Sequence, residues 1–294
     1  MYPPAFDYHA PDTLEGALDL LGRLGPEAKL LAGGASLIPL MRLRLAAPAH
    51  LVDLGAVPGL DEISFRDGAA EIGAMVREND LGASPLAREH RVIGDAVRVI
   101  ADPLVRNVGT LGGNIAHGDP ANDHPAVMQT LDAVALIARP NGGGREVPIT
   151  EFHLGLFETA LAPDEILVAL RVPAAPPGTG SAYVKFERQV GDFAMAAAAA
   201  VLTVRDGRVT RARVGLTNVG PTPVLAQAAG EALEGAEPTD RAIDAAVAGI
   251  ADTIEPWADL RASADVKRSM AVEAARRALR LARDRSGARE AVAA

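Results

Sequence analysis

The chain lacks cysteine, is poor in aromatic residues and carries no excess of positive charge. None of its 294 residues is cysteine, which excludes disulfide bonds, thiol catalysis and a cysteine-ligated iron–sulfur cluster in this chain. Aromatic residues make up only 3% of the sequence while alanine is abundant, which favours close helix packing over aromatic binding platforms. The formal net charge of −9 at pH 7 argues against nucleic acid, whose recognition needs a basic surface.

Long apolar runs are missing as well. The longest run, residues 194–202, is shorter than the roughly 20 apolar residues that a membrane span requires. Residues 1–7 contain neither the basic nor the apolar segment of a signal peptide. We therefore expect no membrane span and a cytoplasmic protein, which the lack of cysteine fits. Association with the inner face of a membrane stays open.

What the sequence does contain is enough apolar material for two packed domains. Hydrophobic residues make up 49% of the chain. Mixed helices and strands come first, then an antiparallel sheet, then helices, which predicts an α+β fold rather than regular βαβ alternation. The proline- and glycine-rich segment 173–180 marks the boundary. We therefore predict domains at 1–177 and 178–286 and a disordered tail at 287–294.

Capping residues, turns and hydrophobic periodicity predict the individual elements. Either Asp12 or Thr13 is predicted to cap the first helix, and Gly25 and Pro26 to end it. Asp206 and Gly207 form the strongest hairpin signal, a two-residue type I′ turn. In the last helix, Val266, Met270, Ala274 and Leu279 are predicted to share one face. The predicted helices are 13–24, 36–45, 78–86, 91–100, 125–131, 224–233, 239–254 and 264–283, and the predicted strands are 29–32, 51–54, 68–74, 134–138, 145–149, 165–172, 199–205 and 208–214.

Two glycine-rich stretches are the strongest functional signals. Residues 110–125 combine paired glycines with small polar side chains, and we interpret them as a ligand-binding loop, neither a packed helix nor a buried strand. In residues 29–39 a strand runs into a Gly-Gly turn and a serine. Backbone N–H groups at such turns can bind phosphate, and two of them suit a ligand with two phosphates. Each pair alone is equally well an ordinary turn.

Common nucleotide and hydrolase motifs are absent from the sequence. There is no G-x-G-x-x-G after a strand, no G-x4-G-K-[ST] and no G-x-S-x-G. His117, Asp119, Asp123 and His124 are suitable metal ligands by type, but their spacing matches no metal motif. We therefore favour polar contacts to a ligand over a metal site, with Asp119 a turn former before Pro120.

Three segments together resemble the FAD-binding medium subunit of molybdenum hydroxylases, of the aerobic carbon monoxide dehydrogenase type within the xanthine dehydrogenase family. Residues 32–39 match the pattern A-G-G-x-S-L-I/L-P, and residues 110–123 match T-I/L-G-G-N-x3-G/A-x-P-x2-D. Residues 188–194 are similar to the later R-x2-G-D-Y/F-A segment. The resemblance extends from residue 2 to about residue 283.

The resemblance implies a two-subdomain FAD-binding domain of the PCMH or vanillyl-alcohol-oxidase type, followed by a carbon monoxide dehydrogenase flavoprotein C-terminal domain. FAD would carry the redox chemistry. A molybdenum-containing large subunit and a [2Fe–2S] small subunit are implied as partners, in a dimer of heterotrimers. The molybdenum cofactor and the clusters would then lie only in those partner subunits, which agrees with the absence of cysteine.

The resemblance also implies the cofactor-binding residues, with no catalytic side chain and no metal ligand. Asp123 would lie near the flavin, His117 near the phosphate and ribitol, Leu161 and Leu167 on the adenine side, and Lys185, Asp192 and Phe193 at the isoalloxazine. The complete predicted set is Ala32, Gly33, Gly34, Ala35, Ser36, Ala101, Thr110, Leu111, Gly112, Gly113, Asn114, His117, Asp123, Leu161, Leu167, Lys185, Asp192 and Phe193.

The sequence departs from the family pattern at three positions. Phe193 stands where relatives commonly have tyrosine, so a hydroxyl contact is lost. Ala35 replaces a polar residue, and Val266 replaces a frequent tyrosine. Two other functions stay open at this point: a non-catalytic flavin-binding assembly factor and a stand-alone flavin oxidase of the same fold. Neither has a supporting residue of its own in the sequence.

Overall fold

The computed structural model describes residues 2–287. The predicted tail therefore lies outside the described residues, apart from Gly287. The strands are β1 Asp7–His9, β2 Ala28–Leu31, β3 His50–Asp53, β4 Ile63–Arg66, β5 Ala69–Gly73, β6 Val134–Ala138, β7 Gly144–Pro148, β8 His153–Gly155, β9 Glu158–Thr159, β10 Ile166–Pro173, β11 Thr179–Phe186, β12 Ala196–Arg205, β13 Arg208–Thr217 and β14 Val224–Leu225. The helices are α1 Leu14–Leu24, α2 Leu37–Arg42, α3 Glu78–Ala83, α4 Pro85–Glu89, α5 Arg91–Val99, α6 Pro103–Arg106, α7 Leu111–His117, α8 His124–Thr130, α9 Gln227–Glu231, α10 Asp240–Val247 and α11 Ala264–Arg285.

The N-terminal part of the chain is a small parallel sheet with one helix. Its strand order is β1-β3-β2. Thr13 caps α1 by accepting a hydrogen bond from the Gly16 N–H, and Gly25 ends the helix with φ +61°, as the sequence predicts. Leu18 and Leu21 of α1 pack with Val52 of β3 in one apolar cluster. This sheet ends at β2, directly before the first glycine-rich stretch.

A five-stranded antiparallel sheet follows, in the order β4-β5-β10-β6-β7. The predicted hairpin between β6 and β7 is confirmed. The predicted helix at 78–86 is instead two helices, because Pro85 cannot donate to the α3 ladder and Ser84 caps α4. The helix predicted at 36–45 ends at Arg42. Together with the first sheet, this region has the two subdomains that we predicted.

The C-terminal part is a four-stranded antiparallel sheet, β11-β12-β13-β14, covered by helix α11. Asp206 and Gly207 have φ angles of +51° and +74°, which confirms the predicted type I′ hairpin. A Cβ on Gly180 of β11 would lie 1.9 Å from the Ala282 carbonyl oxygen, so this glycine lets strand and helix pack closely. The α+β prediction is thus correct for both parts.

Three helix predictions in this part need correction. The predicted face of α11 is confirmed at Ala274 and Leu279, which are fully buried, and Met270 packs against the same cluster, but Val266 is 42% exposed. Its neighbour Lys267, 2% exposed, belongs to the buried face instead. This face is formed mostly by small side chains that lie against the alanine-rich β12. The segment 224–233 begins as strand β14 and only then becomes α9. The helix predicted to end at residue 254 ends at Val247, followed by a short 3₁₀ turn.

Glu165 fixes the connection that leads into β10. Its carboxylate accepts hydrogen bonds from the side chains of Arg139 and Arg145, on the β6–β7 hairpin, and from the Ala162 N–H. Hydrogen bonding by Arg145 comes first among the causes that lower the pKa of Glu165 to about 2, against a desolvation penalty. A carboxylate whose pKa is lowered in this way stabilises the folded state at pH values above the pKa that it has in the unfolded chain.

Replacing Glu165 by glutamine is expected to lower the free energy of unfolding by about 2 kcal/mol at neutral pH, because charge-assisted hydrogen bonds are lost. The stabilising effect is fully present above about pH 4.5 and disappears as the pH falls towards 2, so the difference from wild type should shrink over that range. Urea unfolding of wild type and variant at several pH values measures this difference in the free energy of unfolding. Glu146→Gln, which breaks an exposed pair with Arg171, is the control; equal effects of both variants would contradict this role of Glu165.

Candidate functional site

The first glycine-rich stretch leaves its polar groups free. It follows β2 and turns at Gly34, where φ is +72°. Within residues 2–287, the backbone N–H groups of residues 33–36 donate no hydrogen bond. Ser36 precedes α2, but its hydroxyl makes no capping hydrogen bond. Four consecutive N–H groups and one hydroxyl are therefore available to an anionic ligand.

The second glycine-rich stretch differs from the prediction, because Leu111–His117 is a helix. The Thr110 hydroxyl caps it by accepting from the Gly113 N–H at 3.1 Å. The N–H groups of Leu111 and Gly112 donate to Val76 and Ala74, at 3.0 and 2.9 Å, and that of Asn114 donates to the Thr110 carbonyl. In this conformation the N–H groups of Gly112, Gly113 and Asn114 already have partners within the chain, and their contact with phosphate stays a prediction.

The two stretches nevertheless lie against each other. A Cβ on Gly33 would lie 2.0 Å from the Val108 carbonyl oxygen, and a Cβ on Gly113 would lie 3.4 Å from the Ala32 Cβ. The glycines thus permit close backbone approach. The Asn114 Oδ1 atom is buried and has no hydrogen-bond partner among the described residues. The four free N–H groups fit an anionic ligand such as the pyrophosphate of FAD, while the unpaired Asn114 oxygen can accept a hydrogen bond from a donor of a ligand.

Asp123 is buried in a polar network that joins the two parts of the chain. Its carboxylate accepts hydrogen bonds from the Tyr183 hydroxyl at 2.5 Å and the Lys185 ammonium at 3.0 Å, both from β11. Lys185 also donates to the Val99 carbonyl at 3.0 Å. Burial raises the pKa of Asp123, against the charge of Lys185, and burial followed by the charge of Asp123 raises that of Tyr183 well above its usual value.

His124 and Glu78 form a second buried pair beside Asp123. The His124 Nε2 atom lies 2.6 Å from the Glu78 Oε2 atom, and both side chains are almost fully buried. Burial opposes protonation of His124, but the charge and hydrogen bond of Glu78 outweigh it and raise the pKa of His124. The alternative of a metal site at Asp123 and His124 loses support, because both side chains are paired; the described region contains no group of three metal-ligating side chains.

His117 and Asp119 lie at the C-terminal end of α7. The His117 ring lies 5.1 Å from the Phe157 ring, and burial lowers the pKa of His117 against the charge of Asp119. Asp119 accepts a hydrogen bond from the Ala121 N–H at 2.8 Å, as a turn former does.

The two leucines predicted on the adenine side pack in or against the core. Leu167 of β10 lies in the core cluster and is 4% exposed, and Leu161 packs against the same cluster. The side chain of Leu167 is therefore not available to a ligand, whereas Leu161 is only partly buried.

The later predicted residues are held between the two parts of the chain. A Cβ on Gly191 would lie 2.6 Å from the Ala101 carbonyl oxygen, so the segment 188–193 rests on Ala101. The Asp192 carboxylate pairs with Arg261, and hydrogen bonding by Arg261 lowers the pKa of Asp192 against burial. Phe193 is 41% exposed. The sequence prediction missed Tyr183, Glu78 and Arg261, since no local motif marks them.

Comparison with known sequences decides the family. The family described as FAD binding domain in molybdopterin dehydrogenase matches residues 4–175, and the one described as CO dehydrogenase flavoprotein C-terminal domain matches residues 181–282. The chain belongs to the FAD-binding flavoprotein subunits of molybdopterin dehydrogenases. The predicted family, fold and oxidoreductase class are thus confirmed. The domain limits 177 and 286 and the individual site residues stay predictions.

The similarity to individual members of this flavoprotein family covers almost the whole chain. The carbon monoxide dehydrogenase medium chain of Hydrogenophaga pseudoflava is 44% identical, covering 96% of this chain and 98% of that one. Its counterpart from Afipia carboxidovorans is 43% identical, covering 97% and 99%.

Solved structures give the same result. Carbon monoxide dehydrogenase from H. pseudoflava matches with a TM-score of 0.94 and 46% identity over 97% of this chain and 99% of that one. Quinoline 2-oxidoreductase from Pseudomonas putida 86 matches with a TM-score of 0.91 and 34% identity, covering 98% and 99%. Among residues 2–287, no helix is long and apolar enough to cross a membrane.

Proposed function

We propose that this chain is the electron-transfer subunit of a molybdenum hydroxylase of the carbon monoxide dehydrogenase type. It would take electrons from [2Fe–2S] clusters of a partner subunit and pass them to an external acceptor. The observation that carries the proposal is the first glycine-rich stretch, with its four free N–H groups, in a chain whose family binds FAD. Bound FAD supplies the redox chemistry, and this chain supplies position and electrostatics.

The residues of the site have distinct parts in holding FAD. The N–H groups of residues 33–36 and the Ser36 hydroxyl would bind the pyrophosphate, and the unpaired Asn114 oxygen on α7 would accept a hydrogen bond from a hydroxyl or N–H group of FAD. Neutral donors suffice for a phosphate, so the lack of a basic cluster is no objection. Gly112 and Gly113 would act by permitting close approach rather than by donating N–H groups. The Thr110 hydroxyl holds α7 in place.

The buried pair of Asp123 and Lys185 would fix the flavin end of the site. Because this ion pair connects the two parts of the chain, it would hold β11 against the start of α8 and so set the distance between these two elements. The side chain of Lys185 is 2% exposed, and its ammonium pairs with the carboxylates of Asp123 and Glu187, so its position is fixed. Lys185 and the 188–193 segment would thus orient the isoalloxazine.

Partner subunits are part of the proposal, and the absence of cysteine from this chain agrees with them. Without cysteine the chain contains no thiolate ligand for iron–sulfur clusters, so these would lie in a small subunit. A large subunit would hold the molybdenum cofactor and bind the substrate, and a dimer of such heterotrimers in the cytoplasm is the proposed assembly. The medium chains of carbon monoxide dehydrogenase that resemble this chain support that type of complex.

Co-purification tests the assembly. The tagged chain, expressed in its host, should bring down one large and one small subunit in equal amounts, together with molybdenum and iron. A folded chain that carries FAD but never brings down either subunit would contradict the proposal and favour a stand-alone flavin oxidoreductase. A chain that binds the subunits only transiently, and is missing from the active complex, would instead be an assembly factor.

Ser36→Ala is expected to weaken FAD binding by roughly ten- to a hundredfold, because a hydrogen bond to a charged phosphate is lost. The folded state should hardly change, since the Ser36 hydroxyl makes no capping bond. Titration of the apoprotein with FAD, followed by flavin fluorescence, measures the dissociation constant. Ser269→Ala, on the exposed side of α11, is the control. Wild-type affinity in Ser36→Ala would contradict the predicted phosphate contact.

A further inference from the structure

An arginine outside the predicted site reaches into it. Arg261 donates two parallel hydrogen bonds to Asp192, from Nε at 3.0 Å and from a terminal nitrogen at 2.8 Å. A planar guanidinium fits a carboxylate in this way, whereas a lysine ammonium does not. The central guanidinium carbon lies 5.7 Å from the centre of the Phe193 ring. Arg261 therefore contacts both residues that are predicted to face the isoalloxazine.

The turn that carries Arg261 is itself fixed to the long helix α11. The Asp259 carboxylate accepts hydrogen bonds from the Arg261 N–H at 2.8 Å and the Ala262 N–H at 3.0 Å. Its other oxygen accepts from the Lys267 ammonium at 2.8 Å. Lys267 lies in α11 and is 2% exposed. A buried ammonium that pairs with this carboxylate holds the turn in one position, so Arg261 approaches Asp192 from a rigid base.

On its other side, the 188–193 segment rests on the first part of the chain. Gly191 has φ +83° and approaches the Ala101 carbonyl so closely that a Cβ would lie 2.6 Å from that oxygen. Ala101 has a positive φ as well, +45°, and its carbonyl accepts a hydrogen bond from Arg106 at 3.2 Å. Val190 is 98% exposed, so this tip has little apolar packing of its own. The segment is therefore held by Ala101 on one side and Arg261 on the other.

We propose that Arg261 is a positioning residue for FAD, which holds Asp192 and Phe193 at the isoalloxazine through the paired hydrogen bonds and the ring contact. This inference rests on the proposed function. Phe193 is 41% exposed and has the Arg261 guanidinium over its ring, so under the proposal this contact orients the ring. Arg261 acts through these two residues and takes no part in electron transfer.

Hydrogen exchange of the full chain without FAD tests whether Arg261 holds the segment. The Asp192 N–H donates to the Gln189 carbonyl and the Phe193 N–H to the Asp192 carboxylate, so these two amides report on it. Arg261→Lys keeps the charge but loses the paired geometry, and we expect these amides to exchange roughly tenfold faster. Arg268→Lys, at an exposed pair with Asp265, is the control. Equal exchange in both variants would overturn the proposal.

FAD titration and visible circular dichroism of the bound flavin test the consequence. Arg261→Lys should bind FAD roughly tenfold more weakly and alter the dichroism, while Arg268→Lys resembles wild type. Asp192→Asn should have the same effect, and the double variant should add little. If exchange rises but affinity and dichroism match the control, the positioning role is wrong. If wild type, purified together with its partner subunits, binds no FAD, the proposed function fails, while the exchange result still decides whether Arg261 holds the segment.

Discussion

Gly33→Ala should weaken FAD binding by on the order of 100-fold, the effect of displacing a positioned group by about 1 Å. The added Cβ would lie 2.0 Å from the Val108 carbonyl oxygen and 2.8 Å from the Gly109 Cα atom, so one of the two backbones must move. That movement takes the free N–H groups of residues 33–36 out of their present arrangement. Isothermal titration of the apoprotein with FAD measures the loss.

Gly22→Ala is the matched control for this substitution. Gly22 lies inside α1, and a Cβ there would meet no atom within 4 Å, so FAD affinity should not change. The variant should even be more stable, by about 1 kcal/mol, because alanine favours a helix over glycine. If Gly33→Ala bound FAD as tightly as Gly22→Ala, the close approach of the two glycine-rich stretches would have no part in cofactor binding.

Lys185→Met should reduce the free energy of unfolding by about 3–5 kcal/mol, the effect of leaving one partner of a buried ion pair without the other. The Asp123 carboxylate would keep only the Tyr183 hydroxyl as a partner, with its side chain 8% exposed. Chemical denaturation at pH 7 measures the loss. Arg268→Met, which breaks the exposed pair with Asp265, should change stability by less than about 1 kcal/mol.

Lys185→Met should also change how the free energy of unfolding depends on pH, in a direction that follows from the pKa of Asp123. Burial already raises the pKa of Asp123, and Lys185 opposes that shift. Without Lys185 the pKa of Asp123 rises further. At a pH between the unfolded and the folded pKa, Asp123 is then protonated in the folded state and ionised in the unfolded state. Stability of the variant therefore falls as the pH rises through the folded pKa, and the loss relative to wild type is smaller in acid. A second change, Asp123→Asn, should restore much of the stability; a further loss in the double variant would contradict this account.

Local chemistry was enough to predict much of the fold. The Thr13 cap and Gly25 end of α1, the β6–β7 hairpin and the Asp206-Gly207 hairpin all follow from residues that lie next to each other in sequence. The family prediction came from motifs separated along the chain. Both the local predictions and the family prediction depend on glycines and capping residues, whose backbone preferences can be recognised from the sequence alone.

Tertiary packing decided the region where the sequence prediction was wrong. Two adjacent glycines disfavour a helix, yet α7 forms because Leu111 and Ile115 are fully buried and Gly112 fits against Ala74, where a Cβ would lie 2.4 Å from the Ala74 Cβ. Thr110, followed by an apolar residue, is a cap signal that we interpreted as a phosphate contact instead. Burial against a neighbouring element outweighed the intrinsic propensity.

The polar network of the site could not be predicted from local sequence. Tyr183 lies 60 residues from Asp123, Arg261 lies 69 residues from Asp192, and His124 lies 46 residues from Glu78. No spacing rule connects such pairs, because the fold alone brings them together. The buried face of α11 is a similar case, since Lys267 is buried only because Asp259 neutralises its charge.

The FAD content of the chain, purified together with its partner subunits, tests the central claim most directly. Released flavin is identified by chromatography and counted against the chain. The account predicts about one FAD per chain, reduced by Gly33→Ala and Ser36→Ala but not by Gly22→Ala. An intact complex without flavin that takes up none when FAD is added, or full flavin content in Gly33→Ala at FAD concentrations near the wild-type dissociation constant, would contradict it.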